Sequence, residues 1–301
     1  MSSSPPDRGG DHARRGPFFD SVSLAAARVR SLAVDIPHPR SRYREPTRAL
    51  TDVDLTAPQG RITAVVGTNG AGKSTIVHAL TGALRPNRGS IEVLGIDIGP
   101  PDRPCPVGVG VVPDHPLFPD EWTAEDVIRL RARMGDAFDP DVFVGILRER
   151  GIRRRTMIRS LSAGQATIFS LAHALAADPM LLILDEPFAR LDPLARSELI
   201  DLFRERLADE DSRSILLTSH DLDGMDRYVD QLAVLHRGRT VLEGAVDTLL
   251  DDHLVAADGA GESLLPAEDA VGLPAGTSMR EIGLTDLVRL TLAAARSEGE
   301  R

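Results

Sequence analysis

The chain of 301 residues contains a single lysine, Lys73, although Lys and Arg together number 35. In a sequence that otherwise writes positive charge as arginine, the retained ammonium marks a position where a compact, mobile charge is needed and a planar guanidinium does not fit. Cysteine is equally scarce. Cys105 stands alone, so no disulfide can form within the chain, and a reducing compartment is expected. Long apolar runs are missing too. None approaches the roughly 18 residues of a membrane-spanning helix, and the most apolar region, around residues 171–184, is broken by Asp178 and Pro179. Residues 1–20 carry Ser, Pro, Gly and Arg without the apolar centre of a signal peptide, and are expected to form a disordered tail. Positive charge is in deficit overall. The formal net charge of −10 argues against a nucleic-acid partner held by a generally basic surface.

What is present suits a globular α/β protein: 42% of residues are hydrophobic, enough to build a substantial core. Residues 29–36 and 50–55 alternate as strands on either side of a Pro- and Arg-rich stretch, 37–46, and predict a small β-layer with a long loop. Residues 61–66 read as a buried strand entering a glycine turn. A helix follows, with Ile76, Val77, Leu80 and Leu84 on one face. Residues 123–177 look mostly helical, opened by Thr123 and Asp126 and stopped by Pro179. Strands are expected again at 180–184, 214–218 and 231–235, with a helix over 193–206, an alternation that predicts a largely parallel sheet. After residue 251 the sequence turns acidic and Ala/Gly-rich. It closes with Leu284, Leu287, Val288 and Leu292 at helical spacing, a helix that would dock either on its own domain or on a second subunit.

The chemistry concentrates in two places. Gly67-Thr68-Asn69-Gly70-Ala71-Gly72-Lys73-Ser74 fits the P-loop pattern and lies between an expected strand and an expected helix, the context that the pattern requires. Its glycines let successive N–H groups turn toward phosphate oxygens, and the positive end of the helix faces the same anion. Lys73 would bridge the β- and γ-phosphates of ATP, Ser74 would offer its hydroxyl to Mg²⁺, and Thr75 would reach the α-phosphate. Further along, Leu181-Leu182-Ile183-Leu184 runs into Asp185-Glu186-Pro187. Apolar residues alone would mean only a core strand. With a P-loop in the same chain, Asp185 becomes a ligand for Mg²⁺ through water, and Glu186 the group that polarises the attacking water.

Leu161-Ser162-Ala163-Gly164-Gln165 precedes a helical run, and the acidic pair follows about twenty residues on. With these motifs in this order the sequence resembles the ABC ATPases over residues 22–251, with Ala163 where the family signature has glycine. The resemblance implies an α/β fold made of a P-loop NTPase core, a small antiparallel β-layer and a helical insert at about 123–177. It divides the chain into a tail at 1–20, an ATPase domain at 21–250 and an extension with a terminal helix at 251–301. It further implies Mg²⁺-dependent ATP hydrolysis at two composite sites of a head-to-tail dimer. In that dimer Ser162, Ala163, Gly164 and Gln165 would close over ATP held by the P-loop of a second ATPase subunit. Leu191-Asp192 resembles the D-loop, and Thr218-Ser219-His220-Asp221 the segment whose histidine contacts the γ-phosphate.

Two positions depart from the family pattern. Asp114 stands where glutamine usually touches Mg²⁺, and its charge suits a hard cation. Adenine would stack on Tyr43, or rest against Ile36. The resemblance also implies a peripheral subunit on the cytoplasmic face of the cell membrane, driving a separate integral-membrane permease that docks near residues 114–122. Residues 135–154 most resemble the exporter ATPases of antibiotic or envelope-stress efflux. The alternative is a cytosolic ABC ATPase without a permease, such as an assembly factor. A binding-only module is disfavoured, because Lys73, Ser74, Asp185, Glu186 and His220 are all in place.

Overall fold

The computed structural model describes residues 25–298 apart from 38–45, 100–105, 116, 136, 190, 209–212, 221, 223–224, 226, 259–260 and 271–277. The expectations for the 1–20 tail, Tyr43, Cys105 and Asp221 lie outside the described residues.

Thirteen strands and seven α-helices make up the described chain. The first strands are β1 (Ala25–Ile36), β2 (Thr47–Pro58) and β3 (Ile62–Gly67), followed by α1 (Lys73–Leu80). Next come β4 (Arg88–Val93), β5 (Ile96–Asp97) and β6 (Val109–Val112). The helical insert holds α2 (Ala124–Met134), α3 (Pro140–Glu149) and α4 (Ala163–Leu175). After it come β7 (Leu181–Asp185), α5 (Pro193–Ala208), β8 (Ser214–Ser219), β9 (Gln231–His236), β10 (Arg239–Ala245) and α6 (Val246–Asp251). The chain ends with β11 (His253–Asp258), β12 (Gly261–Pro266), β13 (Ser278–Glu281) and α7 (Leu284–Glu298).

Ten strands form one sheet in the order β5-β4-β1-β2-β10-β9-β3-β8-β7-β6. Its β5-β4-β1-β2 end is the antiparallel layer, and β9, β3, β8, β7 and β6 run parallel. The parallel strands β3, β7 and β8 are buried along their whole length, as their mainly apolar runs require of strands covered on both faces, with Asp185 at the end of β7 the one charged residue among them. Alternate side chains of β7 enter different cores. Leu182 and Leu184 join a cluster with Phe143, Phe169 and Phe203, whereas Leu181 and Ile183 join one with Leu50, Ile76 and Leu80.

Local sequence accounts for the ends of the insert's helices. Thr123 and Asp126 form a reciprocal capping box at α2. At α3 the Asp139 carboxylate accepts hydrogen bonds from the N–H groups of Asp141 and Val142, and Pro140 takes the first helical position. Edge-to-face contact of Phe143 with Phe169 at 5.3 Å ties α3 to α4.

The terminal helix docks on its own chain. Leu284, Leu287, Val288 and Leu290 of α7 enter the same cluster as Val66 and Leu184, and α7 packs on β9, β10, β12 and α6. The three-stranded sheet β12-β11-β13 beside it is absent from the sequence reading.

Candidate functional site: a phosphate cradle at the ends of parallel strands

The carboxyl ends of four parallel strands converge on one edge of the sheet. The loop after β3 is Gly67–Gly72, Asp114 follows β6, Glu186 follows β7, and His220 follows β8. Registers of Val112 with Leu184 and of Asp185 with Thr218 hold these ends level, the position at which open α/β sheets bind ligands.

Gly72 caps α1 at φ 111°, with no side chain bonded to the helix's first N–H groups, so those donors face the loop. A Cβ at residue 72 would lie 2.5 Å from Leu50 Cδ2 and 3.2 Å from the Ala49 carbonyl, which only glycine avoids. The Lys73 ammonium is 6% exposed; it donates to the Gly67 carbonyl at 2.7 Å and the Thr68 carbonyl at 3.3 Å, and lies 3.1 Å from Glu186 Oε1.

Glu186 has φ 49°, a left-handed conformation that a side-chain-bearing residue adopts at some cost, typical of functional positions. Its N–H donates to Thr218 Oγ1 at 3.0 Å, and that hydroxyl donates to Asp185 Oδ1 at 2.6 Å. One threonine thereby orients both carboxyl residues. His220 Nδ1 lies 2.8 Å from Glu186 Oε2. Burial pushes the Glu186 carboxyl up, but hydrogen bonds from His220 and Lys73 and the charge of Lys73 outweigh it and hold the group below the usual carboxylate range.

Two cavities open here. One of about 580 Å³ is lined by Gly70, Gly72, Lys73, Ser74, Thr75 and Glu186, with Arg48 and Arg237 also facing it; the other, of about 300 Å³, is lined by Asn69, Asp114, His115, Ala163, Asp185 and His220. Asn69, Asp114 and Glu186 border both. Ser162, Gly164, Gln165 and Asp192 line a separate cleft of about 330 Å³, which Ala163 also borders. Ser162 caps α4 there, its hydroxyl accepting from Gln165 N–H at 3.2 Å while Gln165 Oε1 accepts from Ser162 N–H at 3.1 Å. The Asp192 carboxylate accepts from Ala195 N–H at 2.8 Å at the start of α5. Of the two adenine candidates, Ile36 is half-buried at the end of β1.

Sequence reasoning missed the β9–β10 turn. Gly238 N–H donates to the Ala71 carbonyl at 2.9 Å, so this turn props the phosphate loop and brings Arg237 to the cavity. His115, whose Nε2 lies 3.4 Å from Asp114 Oδ1, was also passed over. The Arg237-Gly238 pair between two strands was the available signal for the turn.

The donor set fits Mg²⁺: the Ser74 hydroxyl is exposed to the larger cavity, and the carboxylates of Asp114 and Asp185 border the smaller one. Among the described residues no three His, Cys, Asp or Glu side chains gather into a metal cage. Mg²⁺ ordinarily lacks such a cage when nucleotide phosphates supply part of its coordination.

This fold and cradle define a P-loop nucleotide-binding protein of the α/β class. The ABC transporter family model matches residues 50–189. The chain is 33% identical over 233 residues to a Nod factor export ATP-binding protein I of Rhizobium meliloti, spanning 75% of this chain and 68% of that protein. A Mesorhizobium japonicum protein of the same name is 32% identical over 210 residues, and the match spans 61% of its length. An energy-coupling factor transporter ATP-binding protein EcfA2 of Symbiobacterium thermophilum is 37% identical over 210 residues, covering 65% of this chain and 71% of that one. Among solved structures, an ATP-binding subunit of an ABC transporter superposes with a TM-score of 0.62 at 28% identity, covering 75% of this chain and 92% of its own. The chain belongs to the ABC transporter family, as an ATP-binding cassette, and membership implies ATP hydrolysis.

Proposed function

We propose that the chain is the Mg²⁺-dependent ATP-hydrolysing subunit of an ABC transporter, driving a separate membrane permease in the direction of export. The observation that carries this reading is the joining of Lys73, Glu186 and His220 in one contact chain beside the P-loop. In it, the loop N–H groups of Gly67, Thr68, Asn69, Gly70, Ala71 and Gly72 cradle the phosphates with Lys73, while Thr75 reaches the α-phosphate. Ser74, Asp114 and Asp185 would hold Mg²⁺, which supplies charge neutralisation on the phosphate oxygens. Glu186 orients and polarises the water, and His220 leaves Glu186 to contact the γ-phosphate. Ser162, Ala163, Gly164, Gln165 and Asp192 act on nucleotide held by a second copy or a paralogous subunit. The cleft lined by Ser162, Gly164, Gln165 and Asp192, apart from the cradle, supports a role in trans, with Ala163 bordering both that cleft and the smaller cavity.

Residues 21–250 are assigned as the cassette and 251–301 as its extension. No helix among the described residues is long and apolar enough to cross a membrane, which accords with a permease on a different chain. The export-named relatives support the direction. The test is a gentle-detergent pull-down of tagged protein from its native cells, with Mg²⁺-dependent ATPase assayed on the same sample. A polytopic membrane partner is expected. Only soluble partners with activity retained would replace this reading by a cytosolic ATPase without a permease.

A further inference from the structure

Residues 148–159 carry six arginines and one glutamate, in a chain whose net charge is −10. The segment begins in the last turn of α3 and folds back: Gly151 N–H donates to the Arg148 carbonyl, and Ile152 N–H to the Leu147 carbonyl at 2.8 Å. The fold-back leaves a cleft of about 430 Å³ with Val144, Leu147 and Ile152 along its floor and Arg148, Arg153 and Arg154 at its rim. Among the described residues no carboxylate lines it. Of the segment's arginines, Arg150 lies 3.7 Å from Glu198, and Arg155 and the rim's Arg154 lie 3.1 and 3.8 Å from Glu125. Among the described residues no ion pair or hydrogen bond reaches the guanidinium groups of Arg148 and Arg153, and both are exposed.

We infer that this cleft is a binding site for an anionic amphiphile, a molecule with a short apolar tail and a phosphate or carboxylate head. The volume is that of a small-ligand site, and an apolar floor with a few convergent polar groups is its usual construction. A bare anion would leave the floor wet. A neutral lipid would leave the guanidinium forks unmatched, whereas a phosphate or carboxylate accepts them two bonds at a time. Among the described residues the lining contains no aromatic ring on which a nucleic-acid base could stack. The same head-group chemistry comes from a bilayer containing anionic phospholipid or from a free alkyl phosphate or fatty acid. This assignment is independent of the transporter reading.

The experiment uses the full chain and decyl phosphate below its micelle concentration, followed by calorimetry, with decyl maltoside and inorganic phosphate as controls. The variants are Arg148→Glu combined with Arg153→Glu at the rim, and Val144→Asp on the floor; an unchanged thermal midpoint shows that each folds. Saturable binding of one decyl phosphate per chain is expected, weakened about tenfold or more in both variants, with neither control competing. Sedimentation with phosphatidylcholine vesicles, with and without phosphatidylglycerol, separates the sources. Co-sedimentation that needs phosphatidylglycerol and the rim arginines assigns the bilayer, and its absence beside decyl phosphate binding assigns a free amphiphile. No saturable binding, equal binding by the variants, or equal binding of either control would overturn the site.

Discussion

The ammonium of Lys73 lies 3.1 Å from Glu186 Oε1, so the cation of the phosphate cradle and the carboxylate proposed to activate water are paired with one another. Both side chains are largely buried, and His220 closes the chain from the other oxygen of Glu186. A phosphate in the cradle would compete with this carboxylate for the same ammonium.

Replacing Glu186 by Gln is expected to lower ATP turnover by about 100-fold or more through loss of the base. It should also tighten ADP binding by about tenfold, because the competing charge on Lys73 is gone. Calorimetry with ADP separates the second effect from catalysis. Turnover unchanged by the substitution would remove Glu186 from the chemistry, and unchanged ADP affinity would remove it as a competitor.

The same contact predicts a pH dependence of the fold's stability. The Glu186 carboxyl is held below its ordinary value of 4.5, so its stabilising contribution is fully present above that value and is lost as the pH falls through the lower, folded-state one. Thermal midpoints of the parent and of Glu186→Gln should differ at neutral pH, and the gap should close as the pH falls from the ordinary value through the lower, folded-state one. A gap that stays constant through the acid range would show that ionisation of Glu186 does not stabilise the fold.

Much of the site was legible because it is written locally. The phosphate loop and the strand ending in Asp185-Glu186 are each a few contiguous residues whose spacing states their geometry. What sequence reasoning missed depends on pairing between distant segments. The β9–β10 turn matters only because Gly238 reaches Ala71, a contact made by sheet order. β1 includes Ala25 to Ala27 although alanine is a weak strand former, because Ala25 and Ala27 are buried beside β2, and Ala27 also pairs with β4. The short strands β11 to β13 lie in an acidic, Gly- and Ala-rich segment without a clean alternating pattern, and they pair through contacts that no local window records.

Lys73→Ala should abolish ATP binding through loss of the mobile cation, and Lys73→Arg should restore little of it. The ammonium is buried against the carbonyls of Gly67 and Thr68, and a guanidinium is planar, wider and cannot reach the same points. Fluorescent nucleotide titration of both variants checks this. Near-parent affinity in the arginine variant would mean that the chain's single lysine answers to something other than the cradle.

Asp114→Gln tests the departure from the family pattern. Asp114 borders both cavities and carries a full charge that glutamine lacks, so the variant should need more Mg²⁺ for half-maximal ATPase activity, by about tenfold. An unchanged Mg²⁺ requirement would place Asp114 outside the metal's coordination.

Gly70 and Gly72 both have positive φ, 79° and 111°, yet alanine should be tolerated very differently at the two. At Gly70 nothing among the described residues lies within 4 Å of an added Cβ, so the expected cost is that of the left-handed conformation, about 1 kcal/mol. At Gly72 the added carbon meets Leu50 Cδ2 at 2.5 Å, and Leu50 is fully buried, so it has no open space into which to turn. Overpacking then adds to the conformational cost, for a total of about 3 kcal/mol, and shifts the loop that presents Lys73. Denaturant unfolding of the two variants gives the difference. Equal losses would mean that β2, which carries Leu50, yields more readily than its packing implies.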